Sequence, residues 1–200
     1  MHDIIYNAYN SLNEILKDNM PDVNPDRSAK GGRFVYPTLP TSLDDNYPRV
    51  TIKLDEFTPS AVGAGNVLDY YATERRHGMQ VSMLFRMLIF VKKETEYPID
   101  IDGKSVRAKN ELLIQHLNKL CYLAVFNSLT SGRLREEGFW VNSVGDITIL
   151  PGVFEFDTHR IASEVSIRLN GIEHTEKLYG ESELIDDINR TVSVLLNAGA

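Results

Sequence analysis

Cysteine is nearly absent. Cys121 stands alone in the chain, which excludes an intrachain disulfide and argues against a closed structural zinc site. Its neighbours are Leu120, Tyr122 and Leu123, the setting of a small core residue rather than of an activated thiol. Histidine is scarce too. His2, His77, His116, His159 and His174 include no pair at a zinc-like spacing, and His116 reads as a helix-face residue. There is no G-x-S-x-G, and no Ser or Cys stands where a sharp strand-to-helix turn would expose it. Excess positive charge is missing. A net charge of −7 argues against nucleic-acid binding through bulk charge and leaves open a local basic ring facing DNA. No apolar run reaches the ~18 residues of a membrane-spanning helix. No basic segment followed by an apolar one marks a secretory signal at the N-terminus. Internal repeats and low-complexity tracts are absent. The expectation is one domain over residues 1–200, without membrane contact, made in the cytosol and retained or assembled there.

What is present is dominated by Met79 to Lys93, MQVSMLFRMLIFVKK. Met79, Val81, Met83, Phe85, Met87, Ile89 and Val91 alternate with residues that begin polar at Gln80 and Ser82, carry Arg86, and turn apolar at Leu84, Leu88 and Phe90. Period two over such a length means a strand with one buried face. Extended, it spans about 50 Å, far more than the usual strand of about 5–6 residues. Either it bends over a core, or one end leaves the domain and pairs with another chain.

The rest of the chain supplies the other elements. His2 to Lys17 reads as an amphipathic helix on Ile5, Tyr9, Leu12 and Leu16, with Ile4, Ala8 and Ile15 flanking, ended by Met20-Pro21. Residues 18–48 form a long Pro-rich loop or arm, in which Arg33, Phe34, Val35 and Tyr36 are either a short strand or an anchor laid on a neighbour. Arg49 to Phe57 alternates as a half-buried strand. Gly63-Ala64-Gly65 follows in a loop, too bare for a phosphate site because Val67 to Tyr71 looks like strand rather than helix. Glu74, Arg75, Arg76 and His77 cluster before the long strand, with a bulge expected near His77-Gly78. The cluster is either a solvated strand end or a contact patch for an acidic neighbour or a phosphate backbone.

Lys92 to Lys104 reads as a polar connection with a turn at Asp102-Gly103. Ser105 caps a helix over Val106 to Leu129, closed by Ser131-Gly132. It is apolar around more than half its circumference from Leu112 onward, enough to cover a sheet and touch another subunit. Short strands are expected at 139–144 and 147–150, continuing at 153–156, then a clean strand over 158–169. Asn170-Gly171 gives a hairpin signal, with Ile172 to Leu178 returning as an edge strand. Residues 181–200 form a C-terminal helical extension, capped by Ser182, with Leu184, Ile188, Val192 and Leu195 at helical spacing. The fold class is α+β: an antiparallel sheet with a long β-hairpin, one long helix packed on it, and N- and C-terminal helices.

One enzyme pattern has to be weighed. Asp102-Gly103-Lys104, with Asp100 close by, fits the D-x-K half of a restriction-nuclease core, where carboxylates hold Mg²⁺ and a lysine positions water. That lysine belongs on a buried strand after an upstream acid. Here Asp-Gly marks a turn, which accounts for it fully. No catalytic, cofactor or metal residues are assigned.

The order of elements resembles that of the tail-terminator and head–tail joining proteins of tailed phages and related archaeal viruses. The likeness rests on an N-terminal helix before a long variable segment, then Tyr47-Pro48-Arg49-Val50-Thr51-Ile52 leading into the first strand. Glu74-Arg75-Arg76-His77-Gly78 precedes the long alternating strand of a long hairpin, one helix covers the sheet, and Arg160 to Leu169 closes it. The strands after Gly138 and the helix from Ser182 are additions to the pattern. The resemblance implies a virion protein assembled in the host cytoplasm. It would form a homo-oligomeric ring, usually hexameric, that caps the tail tube, meets the neck or connector proteins, and lets DNA pass without sequence-specific binding. Another neck or baseplate subunit would use the same physics. Under this resemblance Arg75, Arg76 and Arg86 are candidate inter-subunit or lumen contacts, and Arg33 to Tyr36 the candidate arm anchor.

Overall fold

The computed structural model describes residues 4–29, 34–41, 46–61, 67–69 and 76–175. The expected C-terminal extension, the Gly63-Ala64-Gly65 loop, Arg33, Arg75 and the tip of the expected long hairpin lie outside them. The fold is α+β. Its main sheet is built on β2 (Arg49–Ala61), β4 (Arg76–Lys92), β7 (Ile147–Glu155) and β8 (Arg160–Thr175). Strand order is β1-β2-β4-β8-β7, with β1 (Val35–Tyr36) parallel to β2 and the other long pairs antiparallel. The short β3 (Val67–Asp69) also pairs with β4.

β4 is the long alternating stretch. Val81, Met83, Phe85, Met87, Ile89 and Val91 are all buried, as period two requires when one face meets the core. Two helices cover that face. α1 (Ile4–Asn19) buries Ile4, Ala8, Leu12, Ile15 and Leu16, which moves the expected stripe slightly, so that Ile5 and Tyr9 sit at its margin. α3 (Asn110–Thr130) buries Leu113, Ile114, Leu117, Cys121, Ala124 and Val125. Both edges of β4 are taken inside the chain. β2 pairs with it from Arg49↔Phe90 to Ala61↔Met79, and β8 from His77↔Thr175 to Lys92↔Arg160. A strand hydrogen-bonded on both sides has no backbone groups left for a third. β4 is therefore the middle of its own sheet, and strand addition by another chain is excluded along it. No bulge falls at His77-Gly78. The irregularity lies opposite, in β3, where Val67 pairs with His77 and Asp69 with Arg76.

Three further expectations are corrected. First, the polar connection and helix start at 92–109 are a hairpin, β5 (Tyr97–Ile101) and β6 (Lys104–Ala108). Its turn is Asp102-Gly103, with φ of 52° and 78°, the mirror-image turn that matches strand twist. Ser105 pairs with Asp100 and Val106 with Ile99, so neither belongs to the helix. α3 starts at Asn110, whose side chain accepts from the Glu94 N–H (3.0 Å) and donates to the Glu94 carboxylate (3.0 Å). Second, 139–144 is not a strand. A single bridge joins Trp140 to Asn170, N–H to carbonyl in both directions (3.0 and 2.7 Å). Third, Asn170-Gly171 is no turn. Both residues continue β8, opposite Ser82 and Val81. Gly171 is glycine because of crowding: a Cβ there would lie 2.9 Å from Ile4 Cδ1 and 3.2 Å from Phe139 Cδ1. The residue lets α1 and the 139 loop close on the sheet.

The described parts of the 18–48 segment fold back on the same chain. α1 runs to Asn19, and α2 (Pro25–Ala29) follows. Asp22 holds Arg27 through two bonds, to Nε (2.7 Å) and Nη2 (2.6 Å), with side chains only 10% and 7% exposed. Asn24 caps α2 through its Oδ1 and donates to the Tyr47 carbonyl (2.8 Å). Val35 and Tyr36 lie against Val50 and Thr51 of β2, and Arg49 stacks on the Tyr36 ring with its guanidinium 4.0 Å from the centroid.

Candidate assembly surface

The face of the sheet opposite α1 and α3 carries the even positions of β4 and β8. A bulge at Asp55 organises it. Register shifts between Leu54, opposite Phe85, and Glu56, opposite Leu84. The extra residue places Asp55 and Glu56 on one side, where strict alternation would have turned one of them inward. Asp55 takes Arg86 at 2.5 Å, with Lys53 at 3.9 Å. Glu56 takes Arg168 at 2.7 Å. Glu164, on β8, meets Arg86 at 3.4 Å. Three cations and three carboxylates from β2, β4 and β8 thus balance one another. Arg86 is held protonated, first by its hydrogen bond to Asp55 and then by the nearby charge of Glu164. The more exposed pairs, Lys53–Asp55 and Arg168–Glu56, contribute little stability, about 0–1 kcal/mol each, whereas Glu164 is the buried end of its pair with Arg86, its side chain 10% exposed. The effect of the pairs together is to fix an ordered, nearly neutral polar surface.

At the β7 margin the surface turns apolar. Leu150 and Phe154 are 44% and 45% exposed. Phe156 packs edge-on against Phe90, ring centroids 4.9 Å apart, above the small buried cluster of Tyr47, Phe90 and Ala162. Arg160 ties this corner together. It donates to Asp157, to the Tyr47 hydroxyl (2.7 Å) and to the Thr41 carbonyl (2.7 Å), and lies over the Phe156 ring. The Arg160 hydrogen bond holds the Asp157 carboxyl below its ordinary value, helped by the His159 backbone N–H. A carboxyl depressed in the folded state stabilises at pH above its unfolded value, about 4, and that stability is lost as pH falls through the folded value. Asp157→Asn should therefore shallow the fall in melting temperature on acidification below about pH 4. Superimposable acid limbs for the two proteins would remove Asp157 from the account.

The candidate contacts are thus scattered. Arg86 lies at the centre of this face, engaged within its own sheet. Arg76 opens β4, its backbone opposite Asp69. Arg75 and Arg33 lie outside the described residues. Phe34, Val35 and Tyr36 lie along β2, with Val35 buried. The structure does not gather these residues into one site. The nuclease-like set is displayed at the β5–β6 turn: Asp100, Asp102 and Lys104 are exposed, and the Asp100 carboxylate accepts from the Gly103 N–H (2.8 Å). Among the described residues no group of three His, Cys, Asp or Glu side chains could hold a metal. Cys121 is core, 3.6 Å from the Met87 sulfur, its thiol pushed up to about 12 by burial. His116 is half-buried in a groove with Pro25, Pro98 and Ile99, and burial lowers its pKa, with Lys119 adding to the shift and Asp100 opposing it. No family model matches the chain, and neither a curated protein nor a solved structure does.

Two features escaped the sequence reading. The Asp55 bulge had a readable signal: Leu54 and Phe57 share the inner face three residues apart, where alternation demands an even number. The Arg160 corner had none, because its partners Tyr47 and Thr41 come from distant chain.

Proposed function

We propose that the protein is a structural virion subunit, a tail terminator whose copies form a ring, six in the resembled family, that caps the tail tube and joins it to the neck. The observation that carries this reading is the outer sheet face. Among the described residues no helix covers it, its central cations and carboxylates are paired with one another although Arg86 Nε is buried without a partner, and its β7 margin exposes Leu150, Phe154 and Phe156. Balanced charge suits a surface shared between copies. It also suits a channel wall, since few phosphate contacts leave DNA free to slide. Exposed apolar residues at its rim suit a contact with tail-tube or connector protein. The long antiparallel β2–β4 pair and the helix on the sheet agree with the resemblance, and Tyr47-Pro48 stands at the start of β2 with Tyr47 buried. A neck or baseplate subunit differing only in its partners is the neighbouring reading.

Light scattering with negative-stain images of the same fraction tests it. A closed ring of several subunits is expected, and Arg75→Ala/Arg76→Ala should lower the mass. A strict monomer that also fails to bind tail-tube protein sinks the proposal. Unchanged assembly in the double variant removes the two arginines from the contact set.

A further inference from the structure

We propose that β7 is a seam along which two copies of the chain pair, the stretch Ile147 to Leu150 lying antiparallel to the same stretch of the second copy. The sheet ends in two edges of different character. On the far side of β2, β1 covers only Val50 and Thr51. The rest of β2 carries exposed Lys53, Asp55, Glu56 and Pro59, and it bulges at Asp55. Charge, proline and a bulge are the devices that keep an edge strand from recruiting another. From Ile147 to Leu150, β7 has none of them. No strand among the described residues lies beyond it, and no charged residue occurs from Ile147 to Phe154. It also exposes apolar side chains on both faces. Ile149 stands opposite the buried Val165, on the helix side, and is 37% exposed. Leu150 stands opposite Glu164, on the outer side, and is exposed too. An apolar run on both faces is the pattern of a strand inside a sheet rather than at its margin.

Of the two edges, only β7 is unguarded, so a second copy meets it with its own β7. Pairing about a twofold axis is antiparallel, and opposed residues must share a face. Centred on Ile149, it sets Ile149 against Ile149 on the helix side and Thr148 against Leu150 twice on the outer side. No like charges meet, because Asp146 falls opposite Gly152. Pro151, with no N–H to give, and the shift of register after Leu150 end the stretch that can pair. The seam is therefore short, and the pair it makes is weak and transient. A twofold contact yields pairs, and a ring that contains it must alternate it with a second contact. This pairing goes beyond the terminator reading and does not depend on it.

Single cysteines test it in the full-length protein at high concentration: Thr148→Cys, Ile149→Cys and Leu150→Cys, all at exposed positions. Cys121 is buried and does not compete. Residues directly opposed in an antiparallel pair lie about 4.5–5.5 Å apart between Cα atoms, within reach of a disulfide. One position from the axis, the two copies of a residue lie about 8 Å apart, out of reach. On mild oxidation most Ile149→Cys chains should run as a dimer on a non-reducing gel, and few of the other two variants. Far-UV circular dichroism of the reduced variants should match the parent. A bridge at none of the three overturns the proposal, and is the result expected if another protein's strand or a part of the same chain covers the edge. Equal bridging at all three, as random collision gives, overturns it as well. A ring seen by light scattering without the Ile149 bridge refutes the seam and leaves the ring reading intact, whereas the bridge in a protein that forms no ring supports the seam alone.

Discussion

Asp22→Ala is expected to destabilise the protein by about 3–5 kcal/mol. The Asp22 and Arg27 side chains are almost wholly buried, and their two short hydrogen bonds hold the guanidinium through Nε and Nη2, while its Nη1 is buried without a partner. Removing the carboxylate leaves a charge that cannot regain water without opening the 18–29 segment. At about 2–4 °C per kcal/mol for a chain of this size, the melting midpoint should fall by roughly 6–20 °C. The pair itself is worth much less than its breakage. Asp22→Ala/Arg27→Met, which removes both charges, should recover most of the loss, because burying two ions costs nearly what their attraction returns. Equal losses in the single and double variants would mean that packing, not stranded charge, sets the cost. A loss below about 1 kcal/mol in the single variant would mean that the segment is not held down as described. The result bears on assembly: a segment pinned at Asp22–Arg27, Asn24–Tyr47 and Val35–Val50 is spent on its own sheet.

The sequence was most informative where one local rule agreed with the tertiary structure. The alternation from Met79 to Val91 has one meaning, and the structure carries it out. Ser131-Gly132 closes α3 as expected, with Gly132 at φ 82°. It was least informative where a local signal was overruled from a distance. Asn170-Gly171 is a strong hairpin signal, yet Gly171 answers to Ile4 and Phe139, which approach from α1 and from the loop after α4 (Arg133–Glu136). Between Tyr97 and Ala108 the Asp-Gly turn was legible. The strands around it were hidden because Ser105 looked equally like a helix cap, and cross-strand pairing decided the matter. The length of β4 suggested a strand reaching out of the domain. Its partners β2 and β8 are nearly as long, and their pairing cannot be read from β4 alone. The outer-face ion pairs join β2 to β4 and β8, so no spacing within one segment could reveal them.

Phe85 and Arg86 are adjacent, and the structure sets them to opposite tasks. Phe85 is 1% exposed, on the face that meets α1 and α3. Phe85→Ala should cost about 3–5 kcal/mol, the transfer of a large ring to water plus the cavity it leaves. Arg86 points to the outer face, its side chain 38% exposed and paired with Asp55 and Glu164. Arg86→Ala should cost less, about 1–3 kcal/mol, because solvent reaches the half-exposed arginine while Glu164, its side chain only 10% exposed, loses its cation. Urea unfolding of both variants measures the contrast, with similar slopes expected if the denatured chains are alike. A loss for Arg86→Ala as large as for Phe85→Ala would mean that the outer face is buried against something in the protein as it exists in solution. Concentration dependence would then tell which: a cost that grows as protein is concentrated places a second copy on that face, as the ring requires, because partner binding stabilises the folded state by mass action. A smaller, concentration-independent cost at Arg86 beside a large one at Phe85 leaves β4 as a strand with one dry face. The ring contacts would then belong to the apolar β7 margin rather than to the ion-pair lattice.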